Sequence, residues 1–524
     1  MTTTPEDQVA QPASMAEIAL LRTQRDPSTP FLLTIDEHAR HDLCTRSYGE
    51  IAARARLLAV ALQQSGVAPG DRVGCYMPNA PCWVIASLAT WWIGAAVAAV
   101  GTVLPPSEAA KLFALADVRT VVAADEAGSL AGDFRVIIVD AEGGCPAAAE
   151  LIEHVNSFVP VVPASEDLAA VFFTSGTTGL PKGITYAHSD CIAAATRVAG
   201  TYSRTAAYRP DPAPSHLAPG VVFNPFGHTA GIARLAFRMW IGRPTVLVRK
   251  FSVQALYAYL QHFKADSLQL TPTMIHMVAT TELPIDLSGT KYVTSGTAPL
   301  SVVTRDLFER RFGVPVIQTY GATEIGVVSQ ERLEDVLAGR RGPGSVGRLA
   351  DGVEVRIRAI DSDRPDGEGE ILARTRELPT EFVGGAKVPV DAEGWYATGD
   401  VGRFDEHGIL YITGRVQDKI IVGGFNVYPA EVEEVARHCP AVADAIVVGV
   451  ADDRLGERPV AGVVWAGEPD EAALVEHLRT ELASYKLPRF FFALDAIPQT
   501  VRGKIDRQRA RALADEAFDA SKAP

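Results

Sequence analysis

The stretch TSGTTGLPKG, residues 174–183, brings three glycines, four hydroxyl side chains, a proline and a lysine into ten residues. An apolar run at residues 168–173 precedes it, so the chain reads as a strand emptying into a donor-rich loop. A Walker-type phosphate loop needs Gly-Lys-Ser/Thr at the start of a helix. Here Gly183 follows Lys182, and Pro181 biases Leu180 away from helical geometry. The loop therefore does not open a helix. Its backbone N–H groups, the hydroxyls of Thr174, Ser175, Thr177 and Thr178, and the Lys182 cation suit the outer phosphates of a nucleotide. A plain surface loop is the alternative that these residues alone leave open.

Around this stretch, short apolar runs at 136–139, 169–173, 220–223 and 245–248 alternate with helical stretches. Ser14 with Glu17 and Ser47 with Glu50 have the spacing of capping boxes, and the second of these helices stops at Gly66. The alternation predicts an α/β class: a large layered N-terminal domain with mostly parallel sheets. After about residue 415 the pattern changes to helix 429–437, strands 442–450 and 458–465, helix 470–482 and strand 489–494, a small α+β C-terminal domain. The boundary falls in GRVQDK, at 415–419, between a large domain over 1–414 and a small one over 420–524.

At 524 residues the chain has room for about three or four average domains and a sizeable core. Its net charge of −14 opposes a nucleic-acid or anionic-membrane binder, so a polyanionic ligand has to be met by local groups. The six cysteines are scattered without CxxC pairs or metal-ligand spacing, which reads as reduced thiols in a cytoplasmic protein. The polar start lacks the basic flank and apolar core of a signal peptide. Residues 84–104 carry no charge over nearly a bilayer's length, but Gly94, Gly101 and Pro105–Pro106 interrupt the run. A buried helix ending near Gly94 and a buried strand over 95–100 account for it without a membrane span.

Further stretches follow in order: TSGTAPLS (294–301), QTYGATE (318–324), GWYATGDVGRFDEHG (394–408), GRVQDKIIVGGFNVYPAEVEE (414–434) and PQTVRGKIDR (498–507). Together with the opening motif, their order and spacing resemble the adenylate-forming superfamily of acyl-CoA and aryl-CoA synthetases, peptide-synthetase adenylation domains and luciferases. The resemblance covers about residues 45–510.

It implies an enzyme that activates a small carboxylic acid with ATP and Mg²⁺ and passes the acyl group to a thiol. That thiol is coenzyme A or, alternatively, the phosphopantetheine of a carrier protein. By resemblance Lys504 bridges the carboxylate and the α-phosphate, Glu324 holds the metal, and Thr323 contacts the α-phosphate. The loop of Thr174, Ser175, Gly176, Thr177, Thr178, Gly179 and Lys182 takes the outer phosphates. Tyr320 with Gly321 and the backbone of Gly296, Thr297, Ala298 and Pro299 receive adenine, and Asp400 and Arg415 the ribose. The resemblance also implies that 420–524 is a mobile lid domain on a hinge at 415–419: Asp418 resembles the hinge residue, and Gly423 and Gly424 the flat backbone along which pantetheine passes.

NPFGHTAG (224–231) lacks the aspartate near Gly227 that amino-acid-activating relatives use, which argues against an α-amino acid. His228 resembles an aromatic gate and is a pocket wall. His228, Gly231, Ile232, Ser295, Thr297, Tyr320, Ile325 and Gly326 are expected to line an apolar or small acid pocket, suited to a medium-chain aliphatic or aryl acid. Arg234 stands apart: in the pocket it would pair with a second carboxylate, and a solvated or salt-bridged helix arginine is the expectation. Thr297, where many relatives have glycine or alanine, narrows the pocket, and Phe425 departs from the polar residue common in CoA ligases. A monomer or homodimer is expected.

Overall fold

The computed structural model describes residues 12–25, 27–35, 43–124, 130, 132–146, 152–175, 181–202, 218–360, 367–375, 378–379, 382–385, 387–452, 454–499 and 505–522. The charge-free run is the centre of the first layer. Pro81 sits in the first turn of the helix Pro81–Trp92, whose side chains are all buried, with Trp83, Trp91 and Trp92 among the largest. Gly94, at φ +75°, turns the chain into the buried strand Ala96–Gly101. Among the described residues no helix is long and apolar enough to cross a membrane. The expected Ser47–Glu50 capping box closes the start of the helix Tyr48–Gln64, and the Glu17 N–H donates to the Ser14 hydroxyl.

Four sheets follow. The first has six strands in the order Arg135–Val139, Thr120–Ala124, Arg72–Met77, Ala96–Gly101, Leu168–Ser175 and Pro181–Ala187. All its pairs are parallel except the last, a hairpin in which Thr174 faces Lys182 and Ser175 faces Pro181. The second joins Leu43–Ser47, Pro30–Ile35, Thr245–Leu247 and Gly220–Val222, parallel apart from its first pair.

The third has nine strands. Ser267–Gln269, Tyr292–Ser295 and Val316–Ala322 run parallel; six strands between residues 326 and 415 then continue the sheet antiparallel. The fourth sheet belongs to a separate small C-terminal domain. Here Val442–Asp452 and Gly456–Trp465 form a long antiparallel pair, and the other edge of Gly456–Trp465 takes both Ile420–Val422, hairpinned with Phe425–Val427, and the parallel strand Phe491–Ala493. Helices Pro429–Arg437 and Glu471–Glu481 cover one face, where Val432, Val447 and Leu474 form its core, and the helix Arg507–Lys522 packs Ala510 and Ala514 against Ile446 and Val460.

Candidate active site

A large open cleft runs between the sheets, and its walls carry most of the residues singled out by sequence. The hairpin of the first sheet forms one wall. Thr174 lies on its outgoing strand, and the Thr174 hydroxyl is 3.4 Å from Glu324 Oε1, 150 residues downstream. From the returning strand, the Tyr186 hydroxyl donates to the Thr323 carbonyl. Lys182 places its ammonium 5.2 Å from the centre of the Phe382 ring. Gly176, Thr177, Thr178 and Gly179 lie outside the described residues, as does Lys504.

Opposite the hairpin, the end of the parallel strand Val316–Ala322 presents Tyr320 and Gly321 to the cleft. The Tyr320 hydroxyl donates to Asp400 Oδ2 at 2.8 Å, and Arg415 Nε donates to Asp400 Oδ1 at 2.9 Å. Asp400 and Arg415 face each other across antiparallel strands, which fixes their approach. The Asp400 side chain is 19% exposed and Arg415 47%, so the pair is reachable from the cleft. Burial raises the Asp400 carboxyl above its ordinary value, against the pull of Arg415 and the Tyr320 hydrogen bond. Burial, then the Asp400 charge, pushes the Tyr320 phenol well above its own. Each carboxylate oxygen has one donor and a lone pair left over, so Asp400 can still accept two hydroxyl groups.

Gly296, Thr297, Ala298 and Pro299 line the same cleft. Thr297 holds φ +72°, a left-handed conformation that costs a β-branched residue energy. His228 and Gly326 also line the cleft, with His228 at the start of the helix Thr229–Ile241. Asn79 holds the preceding loop from behind: Asn79 Oδ1 accepts from the Phe226 N–H, and its amide donates to the Asn224 carbonyl.

Other expected pocket residues sit elsewhere. Gly231, Ile232, Ser295 and Ile325 are not among the residues lining the cleft. Ile232 and Ile325, at 2% and 1% exposure, pack into cores. A Cβ on Gly231 would stand 2.5 Å from the Pro225 carbonyl oxygen, so that glycine serves a close approach of backbone. Ser295 is buried behind the cleft wall. Gly423 and Gly424, at φ +57° and +93°, form the two-residue turn between strands Ile420–Val422 and Phe425–Val427, where that hairpin geometry requires positive φ. Phe425 stacks on Tyr485 at 4.8 Å. Arg234 is only 7% exposed and lines the cleft, which excludes the solvated position.

Asp418 closes the short 3-10 turn Val416–Asp418, the connection from the third sheet to the fourth, and pairs with Arg507 Nε at 3.0 Å. Tyr186, Phe382, Asn79 and Arg507 were not singled out from sequence. Only Tyr186 has a signal there, since the two-residue period of a strand puts it on the same face as Lys182.

Chemically, the Glu324 carboxylate beside the Thr174 hydroxyl offers hard oxygen ligands, the kind Mg²⁺ takes. Among the described residues no group of three or more His, Cys, Asp or Glu gathers as an all-protein metal cage. A cation here fits only as one that also takes oxygens from a ligand.

Residues 22–379 match the family of AMP-binding enzymes, and residues 431–504 match the AMP-binding enzyme C-terminal domain. The chain is 30% identical over 490 residues to the 3-[(3aS,4S,7aS)-7a-methyl-1,5-dioxo-octahydro-1H-inden-4-yl]propanoyl:CoA ligase of Mycobacterium tuberculosis, covering 87% of this chain and 91% of that protein. It is 29% identical to the sulfoacetate–CoA ligase of Cupriavidus necator, covering 94% and 96%. Among solved structures, an amide bond synthetase from Marinactinospora thermotolerans superposes with a TM-score of 0.80 at 27% identity, covering 95% of this chain and 99% of that one. Given the two family matches in chain order and full-length relatives on the same plan, the protein belongs to the AMP-binding, adenylate-forming enzymes.

Proposed function

We propose that the protein is an ATP-dependent carboxylate–CoA ligase acting on a medium-chain aliphatic or aryl acid. The observation that carries the reading is the pairing, across one cleft, of the Tyr320–Asp400–Arg415 cluster with the Thr174–Glu324 approach. One end suits a nucleoside and the other its phosphates. In the first half-reaction a substrate carboxylate oxygen attacks the α-phosphorus of ATP and pyrophosphate leaves. In the second the CoA thiol sulfur attacks the acyl carbonyl, AMP leaves and the thiol proton passes to solvent.

Two anions meet in the first step, so the chain contributes mainly charge neutralisation and positioning. Tyr320 and the backbone of residues 296–299 hold adenine, and Asp400 with Arg415 the ribose. Residues 174–179 and Lys182 hold the outer phosphates, Thr323 the α-phosphate. Glu324 holds Mg²⁺, which when bound offsets phosphate charge. Lys504 bridges the carboxylate and α-phosphate, while His228, Thr297 and Gly326 bound the acid. Because the thiol must reach a centre that Lys504 covers, the small domain over 420–524 swings on a hinge at 415–419 relative to the domain over 1–414, and pantetheine passes along Gly423–Gly424.

The test is pyrophosphate release against a panel of acids, with and without CoA. Arg234 in the cleft wall puts dicarboxylates on that panel beside aliphatic and aryl acids. Acid-dependent release with acyl-CoA formation supports the reading; release that CoA does not convert to acyl-CoA moves the acceptor to a carrier protein, and no release with any acid overturns the ligase.

A further inference from the structure

Tyr186 stands on the returning strand of the first sheet's hairpin, Pro181–Ala187, and is 7% exposed. Phe172, on the outgoing strand, meets its ring edge-on, with 5.3 Å between centres and 90° between planes, so packing fixes the direction of the phenol. The hydroxyl at its tip crosses to another sheet and donates to the Thr323 carbonyl.

Thr323 opens a tight turn. Strands Val316–Ala322 and Gly326–Gln330 pair antiparallel as far as Ala322 and Gly326, leaving residues 323–325 as a three-residue loop. Gly326, at φ +67°, is the left-handed residue such a loop needs, and the Ile325 N–H donates to the Ala322 carbonyl at 3.2 Å. Ile325 is 1% exposed and packs into a core, while Thr323 and Glu324 are half-buried at the cleft wall.

The Glu324 side chain has little to hold it. Among the described residues its carboxylate meets one donor, the Thr174 hydroxyl, at a long 3.4 Å. Lone pairs are thus left for a ligand, and the main chain rather than side-chain neighbours decides where the carboxylate stands. The Thr323 carbonyl and the Glu324 N–H share one planar peptide unit. A donor that fixes that oxygen fixes the plane from which Glu324 projects.

We infer that Tyr186 is a positioning residue for the Glu324 carboxylate: its hydroxyl holds the 323–324 peptide plane and so sets the distance of Glu324 from the hairpin that carries Thr174 and Lys182. Lys182 lies four residues earlier on the same strand and on the same face. One strand therefore places the cation for the outer phosphates and, through a carbonyl, the carboxylate for the metal. The inference rests on the reading of Glu324 and Lys182 given under the proposed function.

The test uses the full chain and compares Tyr186→Phe, which keeps the ring against Phe172, with Glu324→Gln and the double variant. Mn²⁺ binding is followed by electron paramagnetic resonance at saturating α,β-methylene-ATP, and binding of that nucleotide without metal is measured by calorimetry in EDTA. Tyr186→Phe should weaken Mn²⁺ binding about tenfold, the scale of losing an outer partner of a metal ligand. Metal-free nucleotide binding should stay within about twofold, as for sites that do not couple. The double variant should bind Mn²⁺ no more weakly than Glu324→Gln, because the hydroxyl acts through that carboxylate. The Mg²⁺ concentration for half-maximal pyrophosphate release should rise in step. Additive losses in the double variant, equal losses of metal and metal-free nucleotide, or a lowered unfolding midpoint with unchanged Mn²⁺ binding each overturns the inference. Glu324→Gln separates the readings: parent-like Mn²⁺ affinity there removes the metal reading of that carboxylate and this inference with it. Affinity lost there but kept in Tyr186→Phe removes this inference alone.

Discussion

Two arginine–carboxylate pairs stand on either side of Val416 and Gln417, and they are built differently. Asp400–Arg415 lies at the rim of the cleft, with its arginine nearly half exposed and each carboxylate oxygen holding a single donor. Glu433–Arg507 lies inside the small domain, with the carboxylate 4% exposed and gripped by a two-nitrogen fork. The electrostatics separate them as well. Burial raises the Asp400 carboxyl, and Arg415 and Tyr320 do not overcome it. At Glu433 burial also pushes upward, but Arg507 and Arg437 outweigh it and hold the carboxyl below its ordinary 4.5. The first pair is left with capacity for a ligand, and the second spends its capacity on the fold.

Breaking the inner pair is expected to have the largest effect. Glu433→Gln strands Arg507 in a buried site and should lower unfolding free energy by about 3–5 kcal/mol, the cost of removing one partner of a buried pair. A lowered folded value means stability that is fully present above pH 4.5 and lost as pH falls from there through the folded value, so the variant should also show a flatter acid side in its stability curve. Denaturant midpoints at several pH values measure both; a loss under about 1 kcal/mol would put the two pairs in one class.

Next, Lys504→Ala should slow adenylation by roughly a hundredfold or more, about 2.7–4 kcal/mol, the scale of losing a preorganised donor to the reacting charge. Its unfolding midpoint should not move; acid-dependent pyrophosphate release near the parent rate would remove this lysine from the chemistry. Asp400→Asn is the counterpart at the rim, with about tenfold weaker ATP binding and a stability change within about 1 kcal/mol. Calorimetric titration alongside thermal unfolding tests it, and the opposite pattern, intact binding with lost stability, would reverse the comparison. Smallest is Thr297→Gly, which relieves a left-handed threonine worth about 1–2 kcal/mol but loosens the unfolded chain. A net gain of about 0.5 kcal/mol is expected, and a loss would reveal a compensating contact of the threonine side chain.

Local patterns made much of this architecture legible. The interruptions at Gly94 and Gly101 turned an apparent membrane span into a helix and a strand, and Pro181 excluded a helix after the glycine-rich loop. Ser47 and Glu50 marked a helix start from three residues' spacing. The cleft's cluster of Tyr320, Asp400 and Arg415 came from motif resemblance, because no local period links residues 80 apart. Arg507 escaped notice for the same reason: Glu433 is 74 residues before it, and nothing in RGKIDR distinguishes an anchor from a solvated arginine. The pocket wall was misjudged at Ile232 and Ile325 because adjacency to a motif says nothing about which face of a helix or turn is buried.

The hairpin that opened the sequence reading has one more consequence. Thr174 on its outgoing strand and Tyr186 on its returning strand both reach the turn at Thr323 and Glu324, and the Val383 N–H binds the Gly183 carbonyl between them at 2.7 Å. The first two stitches join the six-stranded sheet to the turn between the third and fourth strands of the nine-stranded one. The two halves of the large domain thus share a clasp at the carboxylate, and if the small domain swings as proposed, it is the jaw that moves while this one stays shut.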